Sequence, residues 1–282
     1  MTYSLVARDP VTGELGVAVQ SHWFGVGSVV PFVRPGVGAV ATQSVPDPAQ
    51  GAQILDALAQ GAAPDAAIDG VLIGDEGAAY RQIGVVDAAG RVATHTGEGC
   101  MADAGHTSGD GWTAQANMTS SAEVWPAMAE AFVAAEGPLA ERLLAGLDAA
   151  EAAGGDVRGR QSAAIVVASS AGIAVDLRVE DDPEPLAELR RLLVLRRAYT
   201  AAEAADEAMA EGRMDDAAAL YEEAGRLAPH SAELSFWAGL SQVQRGDAAA
   251  GVERVRAAIA ASPGLGTLLE RLGPDVAPAA ED

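Results

Sequence analysis

Apolar, β-rich runs cover Tyr3 to Arg8 and Leu15 to Val19, and the segment between them, Asp9-Pro10-Val11-Thr12-Gly13, carries turn chemistry, so the chain is expected to open with a hairpin. A further apolar run, Gly36 to Thr42, ends at Gln43-Ser44. It gives way through Pro46-Asp47-Pro48 to Ala49–Gln60, where Ile54, Leu55 and Leu58 recur at helical spacing. Tyr80 to Asp87 and Arg91 to Thr96 read as two more strands turning at Ala88-Ala89-Gly90. The segment from Gly97 to Gly111 fits neither period and is expected to be an irregular, function-bearing loop. Two helices follow, about Ala122 to Ala135 and Leu139 to Ala152. The polar stretch from Gly154 to Ser162 then leads into a buried-type strand, Ala163 to Ala168, and a last strand, Ile173 to Val179. Hairpin-paired strands with helices inserted in blocks predict layered α+β rather than a doubly wound parallel sheet.

Beyond Asp181-Asp182-Pro183-Glu184-Pro185 the strand signal stops and alanine, glutamate and arginine dominate. Pro229 and Pro263, Gly212 and Gly246, and Ala224 and Ala258 are each 34 positions apart, the period of the tetratricopeptide repeat. Gly212, Ala217, Tyr221, Ala224 and Pro229 fall on that repeat's preferred positions; Trp237, two positions late, and Gly251, in place of a packing alanine, depart from it. Two repeats rarely bury a continuous core, so a linking helix over Leu186 to Met209 is expected to act as a third layer or to dock the pair. The reading gives two domains, 1–185 and 186–282, the second a small all-α helical-repeat module.

Charge narrows the chemistry. The chain has 18 Lys+Arg against 40 Asp+Glu, a formal net charge of -22, and every one of those cations is arginine. Without lysine there is no Schiff-base amine, no Walker-type phosphate lysine and no Ser-Lys dyad. The acidity opposes nucleic-acid binding. The single cysteine, Cys100, makes no internal disulfide, and with His95 and His106 nearby it still lacks a zinc spacing, so no metal and no cofactor are expected. No run approaches a membrane span or a signal peptide, and a cytoplasmic protein without a membrane partner is expected.

Thr2 stands at the head of the first strand. If Met1 is removed, Thr2 carries a hydroxyl and a free α-amine, a nucleophile with its own base, because an α-amine has an unperturbed pKa of about 8. An ordinary strand-initiating threonine is the alternative. Ser4 lies on the same strand face, able to assist Thr2 or simply buried and satisfied. Gln43 and Asn117 are neutral amides suited to an oxyanion or to bracing a loop. Asp156, Arg158, Gln161 and Ser162 crowd a glycine-rich turn. There Arg158 either clamps a substrate carboxylate or pairs with Asp156 to hold the turn. His106 joins Asp156 and Gln161 as a substrate-binding candidate. His22-Trp23-Phe24 offers a pocket wall or plain packing.

The segment from Thr2 to Gln60 resembles the opening of the N-terminal nucleophile hydrolases, proteasome β subunits included: a nucleophile on a strand, a hairpin, then a strand, loop and helix. The resemblance implies oxyanion donors at Gln43-Ser44. It also points to Arg34, near the place of a lysine that lowers the nucleophile's pKa in the proteasome-like members. Arginine stabilises an anion but accepts no proton, which leaves the α-amine as the only base. A closer resemblance covers about residues 2–195. Tyr3 to Pro10, Gly16 to Val19, Gly36 to Gln43, His95-Thr96-Gly97, Cys100, Ala104-Gly105-His106, Gln115 to Met118 and Gly154 to Ala164 look like the domain of unknown function 1028 family. That family implies a four-layer αββα sandwich, Ntn-hydrolase-like, often with a helical extension sometimes labelled peptidoglycan-binding. The expected function is amide hydrolysis of a small molecule or peptide by Thr2, in a protein expected to be a homo-oligomer. The alternative is a non-catalytic binding or scaffold protein whose helical tail grips a peptide partner. Peptidoglycan binding ranks lower, since no export signal accompanies the tail.

Overall fold

A computed structural model of the protein describes residues 2–273. The chain divides into two compact units, Met1–Arg191 and Leu192–Asp282.

In the first unit, β1 (Thr2–Arg8) and β2 (Leu15–Ser21) form the expected hairpin, with Thr2 opposite Ser21 and Arg8 opposite Leu15. β3 (Pro31–Arg34), β4 (Gly38–Ser44), β5 (Arg81–Asp87), β6 (Val92–Thr96), β7 (Gly105–Gly109), β8 (Trp112–Asn117), β9 (Ser162–Ser169) and β10 (Gly172–Val179) complete two antiparallel sheets. One runs β10-β9-β2-β1-β8-β7 and the other β3-β4-β5-β6. The helices of this unit are α1 (Gln50–Ala59), α2 (Pro64–Leu72), α3 (Val124–Ala134) and α4 (Leu139–Ala152). β7 falls inside the stretch expected to be irregular: in its Gly-His-Thr-Ser-Gly sequence only Thr107 favours a strand, and pairing with β8 draws it out. β3 and α2 have no counterpart in the sequence reading.

The two sheets face each other, β1 and β2 against β4, β5 and β3; α3 and α4 pack on the outer face of the six-stranded sheet, α1 and α2 on that of the other. Strand alternation explains the arrangement. On β1, Leu5 points toward the helices, where Gly146 of α4 leaves room for its side chain. Val6 points inward and packs with Val17, Val19, Ala39, Ala41 and Val86. On the far side of the four-stranded sheet, Val40, Ile83 and Val85 meet Ile54, Leu55 and Leu58 of α1 and Ile68 of α2. Burying side chains of this size contributes roughly 1.5–3 kcal/mol each. The inter-sheet layer is apolar around Val6. Toward the start of β1 it turns polar, at Ser4, Gln43, Gln82, Gln115 and Asn117, all buried.

The second unit is helical. α5 (Pro185–Ala210) runs into it across the division, followed by α6 (Met214–Leu227), α7 (Ala232–Gln244), α8 (Ala248–Ala261) and α9 (Gly264–Leu269). Gly212 and Gly246 sit at φ 77° and 94° in the turns before α6 and α8. Ala217, Tyr221, Ala224 and Ala258 are buried. Gly239 of α7 and Gly251 of α8 let the two backbones approach: a Cβ on Gly251 would lie 2.6 Å from the Gly239 carbonyl oxygen. Glycine in place of the packing alanine thus has a steric reason. Gly251→Ala is expected to force the helices apart and destabilise this unit by about 1–3 kcal/mol, seen as earlier loss of helical signal in a thermal melt.

Candidate functional site

β1 is the central strand of its sheet at this end, and its first described residue, Thr2, is flanked by Ser21 on β2 and Asn117 on β8. Thr2 Oγ1 lies 3.0 Å from Ser21 Oγ. The Thr2 carbonyl oxygen accepts from Gln43 Nε2 at 3.2 Å and Asn117 Nδ2 at 3.4 Å, amides contributed by opposite sheets. The same two nitrogens donate to Gln82 Oε1, at 2.8 and 2.9 Å. Gln82 in turn donates from Nε2 to the Ala116 carbonyl at 2.8 Å and to Thr96 Oγ1 at 3.0 Å. Ser4 Oγ donates to Gln43 Oε1 at 2.7 Å and accepts from Gln115 Nε2 at 2.6 Å. A connected amide network of this kind, buried and partnered, fixes the side chains it contains. Here it fixes the position of Thr2.

Gly84 makes room for the network. A Cβ there would lie 2.3 Å from Gln115 Oε1. Gly84→Ala is expected to displace Gln115 and lower stability by about 1–3 kcal/mol, measured as a lower urea midpoint with an unchanged slope.

Thr2 opens onto a cavity of about 310 Å³. Ser21, Gln43, Ser44, Asn117 and Arg158 supply its other polar groups, and Trp23, Val26, Val29, Val30, Val45, Pro46, Met101 and Met118 the rest. Ser44 and Met118 hold φ of 71° and 55°. Each directly follows one of the two amides that hold Thr2, and the left-handed turn swings the chain from its strand into the cavity wall. Left-handed backbone at a non-glycine residue costs of order 1–3 kcal/mol and persists where surrounding packing enforces it.

Among the described residues lining the cavity, Arg158 is the one ionisable side chain. Its guanidinium donates from Nε to Asp156 Oδ1 and from a terminal nitrogen to Asp156 Oδ2, both at 3.2 Å. The buried Asp156 carboxylate also accepts the backbone N–H groups of His22 at 3.0 Å and Arg158 at 2.8 Å. Arg158 thus forms the ion pair with Asp156 and is also a cavity-lining residue.

Other sequence candidates lie elsewhere. Arg34 ends the edge strand β3 and pairs with Asp56 of α1 at 2.8 Å, outside the cavity lining. His106, on the edge strand β7, has Nδ1 2.9 Å from Thr96 Oγ1; burial, with His95 adding to it, lowers its pKa from the usual value. Gln161 donates to Asp181 at 3.1 Å. Ser4 is fully buried beneath Thr2. Met1, whose removal a Thr2 nucleophile requires, lies outside the described residues. Sequence reasoning passed over Ser21, Gln82 and Gln115; the available signal was an amide or hydroxyl on the buried face of an otherwise apolar strand. Among the described residues no cluster of histidine, cysteine and carboxylate groups is arranged to hold a metal, and no helix is long and apolar enough to cross a membrane.

Residues 2–189 match the Family of unknown function (DUF1028). The chain belongs to this family. A crystal structure of a DUF1028 protein from Silicibacter pomeroyi is similar at 34% identity and TM-score 0.64, covering 68% of this chain and 87% of that one. Anbu, the ancestral β-subunit from Yersinia bercovieri, is similar at 12% identity and TM-score 0.37 over 67% of this chain and 91% of its own, too distant to define the fold. No curated protein matches. The match to DUF1028 takes in every cavity-lining residue and stops within α5, so the site belongs to the family's shared domain.

Proposed function

We propose that this DUF1028 protein is an N-terminal nucleophile amidohydrolase with a four-layer αββα sandwich, and that its second unit is a tetratricopeptide-like extension. The observation that carries the catalytic reading is the pairing of Thr2 with its surroundings: its hydroxyl at the cavity, its carbonyl held by two amides, and no carboxylate, histidine or lysine among the described cavity-lining residues. A hydroxyl nucleophile needs a base within reach. With none in the lining, the α-amine that Thr2 would expose on loss of Met1 is the base the site has to use. The reaction starts with attack of Oγ1 on an amide carbonyl carbon, the hydroxyl proton passing to the amine. The amine then protonates the departing nitrogen, and water hydrolyses the resulting ester. Gln43 and Asn117 act as positioning residues, because their nitrogens are engaged by Gln82 and the Thr2 carbonyl. Opposed antiparallel sheets with helices outside each support the sandwich, and the 34-residue recurrence of Gly212 and Gly246 in like turns supports the repeat.

The test is a screen of small amides and short peptides with the purified chain. Hydrolysis that disappears in Thr2→Ala while the melting profile stays close to the parent's is the expected result. Turnover unchanged by Thr2→Ala contradicts the assignment, and an inert parent chain favours a non-catalytic binding module.

A further inference from the structure

The cavity sets one guanidinium and the polar groups around Thr2 against a wall that is otherwise apolar. Val26, Val29, Val30, Val45, Pro46 and Met118 line it, and a ligand rich in hydroxyls would leave them unpaired there, at a cost of about 1–3 kcal/mol each. Trp23, Val45 and Met101 line the cavity and are also exposed to solvent, Trp23 by 60%, so they mark its opening. Phe24, 68% exposed, adjoins Trp23 in sequence, and the exposed Val157 adjoins Arg158. Exposed apolar side chains grouped at a cavity mouth signal a surface that meets an apolar partner. At about 310 Å³ the cavity is at the small end of the ligand-site range of roughly 300–1,000 Å³, with room for a chain of several carbons leading toward that rim.

The polar specification is equally narrow. Asp156 is not a lining residue; it holds Arg158 through Nε and a terminal nitrogen and accepts two backbone N–H groups as well. The guanidinium is thereby held in a fixed plane at the wall, an arrangement suited to a planar anion. The cavity is lined by the guanidinium and not by the Asp156 carboxylate, so an anion there meets N–H donors and an ammonium group does not meet that carboxylate's acceptors.

We propose that the site takes an amphipathic monocarboxylate: an amide whose carboxylate meets Arg158 and whose apolar chain follows the valine wall out past Trp23. An N-acyl amino acid has this chemistry. The scissile amide rests on the hydrolase reading above; the binding preference does not. The test is therefore made on Thr2→Ala, by calorimetric titration with straight-chain carboxylates from butanoate to octanoate and with octanamide. Affinity is expected to rise about three- to fourfold per methylene, and octanamide to bind about tenfold more weakly than octanoate. Arg158→Gln is expected to remove that difference. Equal binding of octanoate and octanamide, no dependence on chain length, or no binding of any of these ligands overturns the proposal, and the acid-to-amide comparison decides even if Arg158→Gln fails to fold. A chain that binds in the expected pattern yet hydrolyses no amide refutes the hydrolase reading alone; hydrolysis without the pattern refutes this proposal alone.

Discussion

Thr2→Ala lowers amide turnover by roughly a thousandfold or more, the effect of deleting a nucleophile for which no neighbouring group substitutes. Ser21 is 3.0 Å away, but its backbone nitrogen lies in a peptide bond and brings no amine, so it does not replace Thr2. Thr2→Ser keeps both the hydroxyl and the amine and retains turnover. The fold tolerates the alanine variant, because what is lost is one hydroxyl contact worth about 0.5–1.5 kcal/mol. The pH profile separates this mechanism from one using a buried carboxylate. The α-amine must be neutral to accept the proton, so the rate climbs through about pH 8, the ordinary range of an α-amine, and is lost below it as the amine is protonated. A rate that is flat from pH 5 to 9 in the parent chain contradicts the amine as base.

The second large effect is structural. Gln82→Leu removes the oxygen that accepts from both Gln43 and Asn117 and the nitrogen that donates to the Ala116 carbonyl and Thr96. Leaving a buried polar group without its partner costs about 1–3 kcal/mol. Several groups lose a partner at once here, although Gln43 and Asn117 keep their bonds to Thr2, and a net loss of about 2–4 kcal/mol is expected. Against total stabilities of about 5–15 kcal/mol this is severe. Chemical denaturation reads it directly. A double variant with Asn117→Ala is expected to lose less than the sum of the single changes, because the two side chains share one bond. Additive losses would mean that Gln82 does not connect the two sheets as a network.

The elements with strong local signals were legible in the chain. The β1–β2 hairpin, the buried strand β9 and the helix α4 have turn residues, apolar runs or helical spacing that act over short range. β7 was not, since Gly105 to Gly109 owes its extended form to its neighbour β8. β3, of four half-buried residues, was too short to register a period. At the site, Thr2 could be singled out because position and residue type together suggest a chemistry. Gln82 could not: one amide in an apolar strand is unremarkable until Gln43, opposite it on β4, and Asn117, brought by β8 of the other sheet, meet at the same oxygen. Arg34 looked eligible because sequence proximity to the loop does not reveal that an edge strand turns it toward Asp56.

The central claim is that Thr2 acts as an N-terminal nucleophile. The most direct measurement is the mass of the intact purified chain before and after treatment with a β-lactone. Such a reagent acylates a nucleophilic hydroxyl by ring opening and adds its whole mass, because it has no leaving group. The account predicts a chain that begins at Thr2 and gains one reagent mass, located by peptide mapping on the N-terminal peptide and absent in Thr2→Ala. A chain that hydrolyses amides with Met1 still attached, or that takes up the label at another residue, would contradict it.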